Sequence, residues 1–234
     1  MSFLLDLIFP KFCIGCNAIG RYLCKKCINK LHFLKQDRCI YCFQPSFYGE
    51  THENCKKHNG LDGVLSICGY NELARKIVSL VKYRLQSAIY KDILSHVPKE
   101  TIRKFEEFKK RQLYSSLQTV PLHKKRQSIR GFNQSDELTK FFAKTLSLPI
   151  IDIVERIKNT KPQARIKKKY ERILNVKGSF YVKERNKVLN KTIILVDDVC
   201  TSASTANEIA KELKKIGVKK VYLFSFARGY GSKD

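Results

Sequence analysis

A chain of 234 residues is long enough for one substantial domain and a smaller one, and a hydrophobic content of 43% excludes a disordered polycation. Lys and Arg number 46 against 21 Asp and Glu, a formal charge of +25 that calls for an anionic partner such as nucleic acid, acidic lipid or polyphosphate. The opening segment Met1–Pro10 is apolar, but Asp6 interrupts it and Pro10 stops it. It lacks a basic leader and a small-residue cleavage site, and it falls well short of the roughly 20 residues a membrane helix needs. No signal peptide or span is expected, so the chain reads as cytoplasmic, with peripheral membrane association left open.

Nine cysteines in a cytoplasmic chain point to metal before disulfides, and seven of them fall within residues 13–55. Cys13-x2-Cys16, Cys24-x2-Cys27, Cys39-x2-Cys42 and Cys55-x2-His58 follow one another as four knuckles. Each knuckle converges two soft ligands on one cation, and two knuckles complete a tetrahedral zinc site. The simplest pairing is Cys13, Cys16, Cys24 and Cys27 for one Zn²⁺, then Cys39, Cys42, Cys55 and His58 for a second. His52 is the alternative fourth ligand of the second site, and an interleaved pairing is also open. Both sites read as closed and structural, so residues 1–60 form a zinc-binding module whose folding depends on metal. Cys68 and Cys200 fall outside the pattern and read as packed thiols.

After Gly60-Leu61-Asp62-Gly63 a second domain, residues 61–234, is expected. Val64 to Tyr70 reads as a strand, residues 72–111 as charged helical segments with Pro98 at a helix start, and Leu117 to Pro121 as a strand ended by its proline. Then come Pro121-Leu122-His123-Lys124-Lys125-Arg126 and Arg130-Gly131-Phe132-Asn133-Gln134-Ser135. His123, Lys124, Lys125, Arg126 and Arg130, at the end of a strand, make a site suited to a polyanion, and a solvated basic loop is the alternative. Gly131 supplies backbone freedom, and Asn133 suits the cap of an amphipathic helix carrying Leu138, Phe141, Phe142 and Leu146.

Residues 161–191 are the most basic stretch, with Arg165, Lys167, Lys168, Lys169, Arg172, Lys177, Lys183, Arg185, Lys187 and Lys191. Tyr170, Phe180 and Tyr181 interleave with these cations. Such a surface suits single-stranded nucleic acid, whose phosphates are neutralised while its bases stack. A hairpin whose aromatics face inward fits the same residues equally, and Phe180 in particular suits a core.

The most informative segment runs from Thr192 to Thr205. Ile193, Ile194, Leu195 and Val196 suit a strand buried on both faces of a parallel sheet. Asp197 and Asp198 follow, then the small loop Thr201-Ser202-Ala203-Ser204-Thr205. A helix comes next, with Ile209, Leu213 and Ile216 at helical spacing and Gly217 to end it. The first amides of a helix have no intrahelical acceptor, so this strand–loop–helix unit can hold a phosphate. The acidic pair then lies one sugar length away, suited to a ribose diol or a divalent cation.

This segment resembles the phosphoribosyl-pyrophosphate (PRPP) motif of type I phosphoribosyltransferases, with Ala203 where that family usually has Gly. Val120-Pro121-Leu122-His123, Arg130 to Ser135, Thr160-Lys161-Pro162-Gln163, Arg172, Asn175, Phe180 and the four knuckles narrow the resemblance to the ComF/GntX family. The resemblance implies an α/β fold: a type I phosphoribosyltransferase core with a parallel sheet, preceded by a double zinc ribbon. It implies that Asp197 and Asp198 meet ribose hydroxyls and Mg²⁺, and that Thr201 to Thr205 cradle the 5′-phosphate. Arg126 and Arg130 would face the pyrophosphate, and Lys82 matches a basic position of the family. It further implies a role in natural transformation, in which incoming single-stranded DNA is handled near the inner membrane. A helicase, a membrane channel or recombination factors are the implied partners. An active phosphoribosyltransferase with an unidentified acceptor and a PRPP-sensing interaction scaffold are the other two readings.

Overall fold

The computed structural model describes residues 10–81, 86–183 and 188–229, with the backbone alone for 86–88. Of the residues named above, Met1 to Phe9, Lys82, Arg185 and Lys187 lie outside the described residues.

Five strands form one parallel sheet: β1 (Gly63–Gly69), β2 (Ser115–Thr119), β3 (Ile150–Ile151), β6 (Thr192–Cys200) and β7 (Lys220–Arg228), in the order β1-β7-β6-β2-β3. The short strands β4 (Val154–Arg156) and β5 (Phe180–Val182) pair antiparallel and apart from it. Side chains alternate across a strand, so β6 sends Ile194 and Val196 to one face and Ile193 and Leu195 to the other, all fully buried. On the first face lie α2 (Glu72–Val81), α3 (Gln86–Leu94), α4 (Lys99–Arg111) and α6 (Gln134–Leu146). There Phe105, Phe108 and Phe142 surround Phe224 of β7 with ring centroids 4.8–5.4 Å away. On the second face α8 (Ser204–Lys215) buries Ile209, Ala210 and Leu213 beside β4 and β5.

The basic segment is neither an extended strand end nor a solvated loop but a short helix, α5 (Lys124–Arg130), whose end Gly131 closes at φ 79°. His123 caps its start by accepting the Lys125 amide at 3.2 Å. Strand β6 also continues through the acidic pair to Cys200, because Asp197 stays in register with Ser225 and Cys200 with Arg228. Asn133 caps α6 as its sequence position suggests, accepting the Ser135 amide.

The cysteine-rich module lies along the free edge of β1. Leu34 donates its amide to the Ile67 carbonyl at 3.0 Å, and Gly69 donates to His32 at 2.8 Å. Thr51 donates to Asp62 at 2.7 Å. An open edge strand offers unpaired amides to other chains, and here the module takes part of that edge. Its Cys13, Leu23, Cys27 and Leu31 join the same core cluster as Leu65 and Ile67. A buried ion pair, Lys104 on α4 to Asp37 at 2.9 Å, also crosses between the two parts. Removing one partner of such a pair would strand a charge in the interior.

Candidate phosphate cleft and metal centres

Cys13, Cys16, Cys24 and Cys27 bring four sulfurs within 4.8 Å of one another. Cys24 is the N-cap of the single-turn helix α1 (Lys25–Ile28), which swings Cys27 back toward it. Burial works against the Cys13 thiolate, but the amides of Cys24, Gly15 and Cys16 together outweigh it and bring the thiol down to about 6. The second cluster is Cys39, Cys42, His52 and Cys55, again within 4.8 Å. This corrects the assignment of His58, which lies exposed in the turn beyond Cys55. His52-x2-Cys55 has the same knuckle spacing in the other direction, closed by the Cys55 amide donating to the His52 carbonyl at 2.8 Å. His52 turns Nδ1 toward Cys42 Sγ at 3.3 Å, and its Nε2 lies 3.1 Å from the Pro45 carbonyl. A backbone partner of that kind fixes the tautomer and aim of a metal-ligating histidine. Both clusters are four-donor, sulfur-rich and closed, which suits Zn²⁺ in a structural role.

The second site is a cleft of about 340 Å³ at the carboxyl ends of β2 and β6, where open α/β sheets bind ligands. Asp197, Asp198, Thr201, Ser202, Ala203, Ser204 and Thr205 line one wall, and Arg126 and Arg130 of the α5 segment line another. The structure therefore brings together all nine residues expected to contact the phosphates, the ribose or its cation. Ser135 donates to Asp197 Oδ1 at 3.1 Å, and the Asp198 amide donates to the same oxygen at 2.9 Å. Loss of water and the adjacent Asp198 nonetheless raise Asp197 well above the usual carboxylate range.

The loop itself is shaped by Ala203, the residue before α8, which sits at φ 52° and ψ 18°. That left-handed conformation is the one glycine adopts freely, and an L-residue there carries strain of about 1–2 kcal/mol. Ser202 and Ser204 share a hydroxyl hydrogen bond at 2.8 Å, and Arg172 donates to Thr201 Oγ1 at 3.0 Å. Cys200, buried behind the loop, has its thiol pushed up to about 11 by desolvation and is inert.

Sequence reasoning missed Arg156. It sits on β4 with only 6% exposure, lines the cleft, and lies over the Phe180 ring at 5.3 Å. Burial first, and Arg126 second, bring its guanidinium down to about 10. The available signal was its phase: Val154 and Arg156 share the inward face of β4, so a cation occupies a position where the alternation calls for an apolar residue. Arg126 is lowered likewise, by burial and then by Arg130. Gln134, 4% exposed, also lines the cleft, and its Nε2 finds no partner among the described residues. Four arginines and a spare buried donor around two carboxylates make a cavity electrostatically matched to a polyphosphate.

The motif residues 160–175 build the opposite rim. Asn175 pins Lys161 by exchanging two hydrogen bonds with its backbone at 2.9 and 3.2 Å, and Gln163 donates to the Arg172 carbonyl. Arg165, Lys167, Lys168 and Lys169 are exposed beside that rim and do not line the cleft. The last two stand at the start of α7 (Lys169–Val176), where the helix dipole disfavours cations. Tyr170 is 69% exposed and Tyr181 51%, whereas Phe180 is core at 4%.

The double zinc ribbon domain matches residues 4–57, and the phosphoribosyl transferase domain matches residues 130–232. Competence protein F of Haemophilus influenzae is 29% identical over 88% of this chain and 97% of its own length. Competence protein ComFC of Streptococcus pneumoniae is 25% identical over 88% and 87%. DNA utilization protein YhgH of Escherichia coli K12 is 33% identical over 50% of this chain and 51% of its own. With a ribbon bearing two four-donor clusters along the edge of a parallel-sheet core, the chain joins a double zinc ribbon domain to a phosphoribosyl transferase domain and is similar over most of its length to Competence protein F and ComFC.

Proposed function

We propose that the cleft binds PRPP with Mg²⁺, and that the protein is a competence accessory factor. In this reading it binds single-stranded DNA and helps import or handle transforming DNA at the cytoplasmic side of the inner membrane. The observation that carries the ligand is a convergence: phosphate loop, acidic pair and arginine cluster share one cleft of about 340 Å³. The amides and hydroxyls of residues 201–205 would take the 5′-phosphate, as helix N-termini do. Asp197 and Asp198 would accept from the ribose diol and hold the cation, while Arg126, Arg130 and Arg156 would neutralise the pyrophosphate. The competence role is supported by the names of the relatives, and DNA binding by the charge of +25. A competence helicase, an inner-membrane DNA channel or recombination factors are the partners such a role calls for. Among the described residues no helix is long and apolar enough to cross a membrane.

The same guanidiniums would stabilise a departing pyrophosphate, which favours phosphoribosyl transfer as a second reading. Its mark would be pyrophosphate release that depends on one particular acceptor. The decisive experiment is calorimetric titration of PRPP with Mg²⁺ into the wild type and into Asp197→Ala/Asp198→Ala. Binding that disappears in a folded double variant supports the reading, and undiminished affinity sinks the site. Single-stranded DNA titrated in parallel, with and without PRPP, tests whether the two ligands are linked.

A further inference from the structure

Resting on the reading of the cleft as a PRPP site, we propose that the second metal centre sets the shape of the phosphate loop, with Tyr41 and Arg228 as the positioning residues between them. The loop, residues 201–203, hangs between the end of β6 and the start of α8. Each end is tied to the same stretch of the ribbon, residues 38–41, inside and beside the Cys39-x2-Cys42 knuckle.

At the helix end, Tyr41 donates its hydroxyl to Asn207 Oδ1 at 2.8 Å. Asn207 lies in the first turn of α8 and donates its own amide to the Ala203 carbonyl at 2.8 Å. The same Oδ1 accepts the Leu61 amide at 3.1 Å, which locks the side chain. At the strand end, Arg228 is wholly buried and donates to the carbonyls of Arg38 at 2.7 Å and Cys39 at 3.2 Å. Arg228 is the register partner of Cys200, the last residue of β6, and the next amide, Gly229, donates to the Cys200 carbonyl at 2.9 Å. Between the two ties, Ile40 is buried in the same cluster as Ala203 and Ala206.

A knuckle of this size holds its conformation only when its ligands share an ion. The metal at Cys39, Cys42, His52 and Cys55 therefore fixes the carbonyls of residues 38 and 39 and the Tyr41 ring, and these hold both ends of a loop that is strained at Ala203. A loop held in its binding shape has less disorder to lose when phosphate arrives, and so binds more tightly. Binding linkage is reciprocal: PRPP should slow the loss of zinc from the second cluster and leave the first unaffected.

The test uses the full chain and the variants Tyr41→Phe and Asn207→Ala, neither of which replaces a metal ligand. Zinc content should stay at the wild-type value. Hydrogen exchange across residues 200–210 should speed up, and the Kd for PRPP should rise about 2- to 10-fold, the effect of losing one neutral hydrogen bond. In the wild type, saturating PRPP should slow chelator-driven release of one zinc only. Unchanged exchange and affinity in both variants, with zinc retained, would overturn the proposal. So would equal protection of both zincs. A wild type that binds no PRPP would instead refute the ligand assignment, and the exchange measurement would then decide the positioning on its own.

Discussion

Arg156 donates to the hydroxyl of Thr160 at 2.7 Å, and the carbonyl of the same threonine takes a hydrogen bond from Arg126. One residue of the segment 160–163 thus organises two cations that repel each other. The geometry is understandable if both are meant for an anion that arrives later. Arg156→Met should weaken PRPP binding by about 10- to 100-fold, in line with losing a charge-assisted hydrogen bond. It should leave the thermal midpoint of the ligand-free protein unchanged or higher, because a desolvated charge beside Arg126 is removed. Calorimetry and a melting curve decide it; a large fall in Tm would make Arg156 a folding residue.

Asp197 makes a pH prediction with a definite sign. Its folded pKa is raised, so the protonated form is compatible with the fold while ionisation is opposed. The cost is absent below the unfolded carboxylate value of about 4 and grows as pH rises toward the folded value. Asp197→Asn should therefore raise Tm at neutral pH and change it little near pH 3. Since the cation and ribose need the ionised pair, PRPP binding with Mg²⁺ should release protons. Titration in two buffers of different ionisation enthalpy measures that release, and a value of zero would contradict the raised pKa.

Ala203→Gly removes a methyl from a residue at φ 52°. Relief of left-handed strain outweighs the added freedom of the unfolded chain, for a net gain of about 0.5–1 kcal/mol. PRPP affinity should be kept or improved. A destabilised Ala203→Gly protein would mean that the methyl, buried against α8, contributes more packing than its backbone costs.

The two histidines near Cys55 separate cleanly by zinc counting. His58→Ala should retain the wild-type zinc content and stability, since His58 is exposed outside the cluster. His52→Ala should lose one zinc equivalent and destabilise the ribbon. Metal analysis after dialysis against a weak chelator checks both, and the reverse pattern would restore His58 as the ligand.

Replacing Lys167, Lys168 and Lys169 together by alanine should weaken single-stranded DNA binding at low salt. The slope of log K against log salt should become shallower by about 2, from roughly 0.7 per neutralised phosphate. PRPP affinity should be unaffected, because none of the three lines the cleft. An unchanged salt slope would place the DNA elsewhere on the basic surface.

Much of the site was legible because its grammar is local. Two ligands separated by two residues form a knuckle whatever the rest of the chain does, and a strand, an acidic pair, a small loop and a helix define a phosphate site within fourteen residues, 192–205. Where two local solutions were equally good, the residues could not choose. His52 and His58 both lie at knuckle spacing from Cys55, and only the path of the chain after the turn Glu53–Cys55 selects the first. Phe180 and Tyr181 alternate on one strand, and only its packing over Arg156 and α8 decides which faces inward.

By itself, then, the sequence determined the two modules, the ligand-bearing knuckles and the acidic pair with its phosphate loop, because these rest on spacing and on backbone geometry over a few residues. The tertiary structure alone decided which distant cations share the cleft and what holds the loop in shape. Tyr41 and Asn207 are 166 positions apart, and Arg228 and Cys39 are 189 apart. No periodicity encodes such pairs; they exist because the ribbon docks beside the carboxyl ends of β6 and β7, where burial makes each unsatisfied donor costly and so fixes its partner.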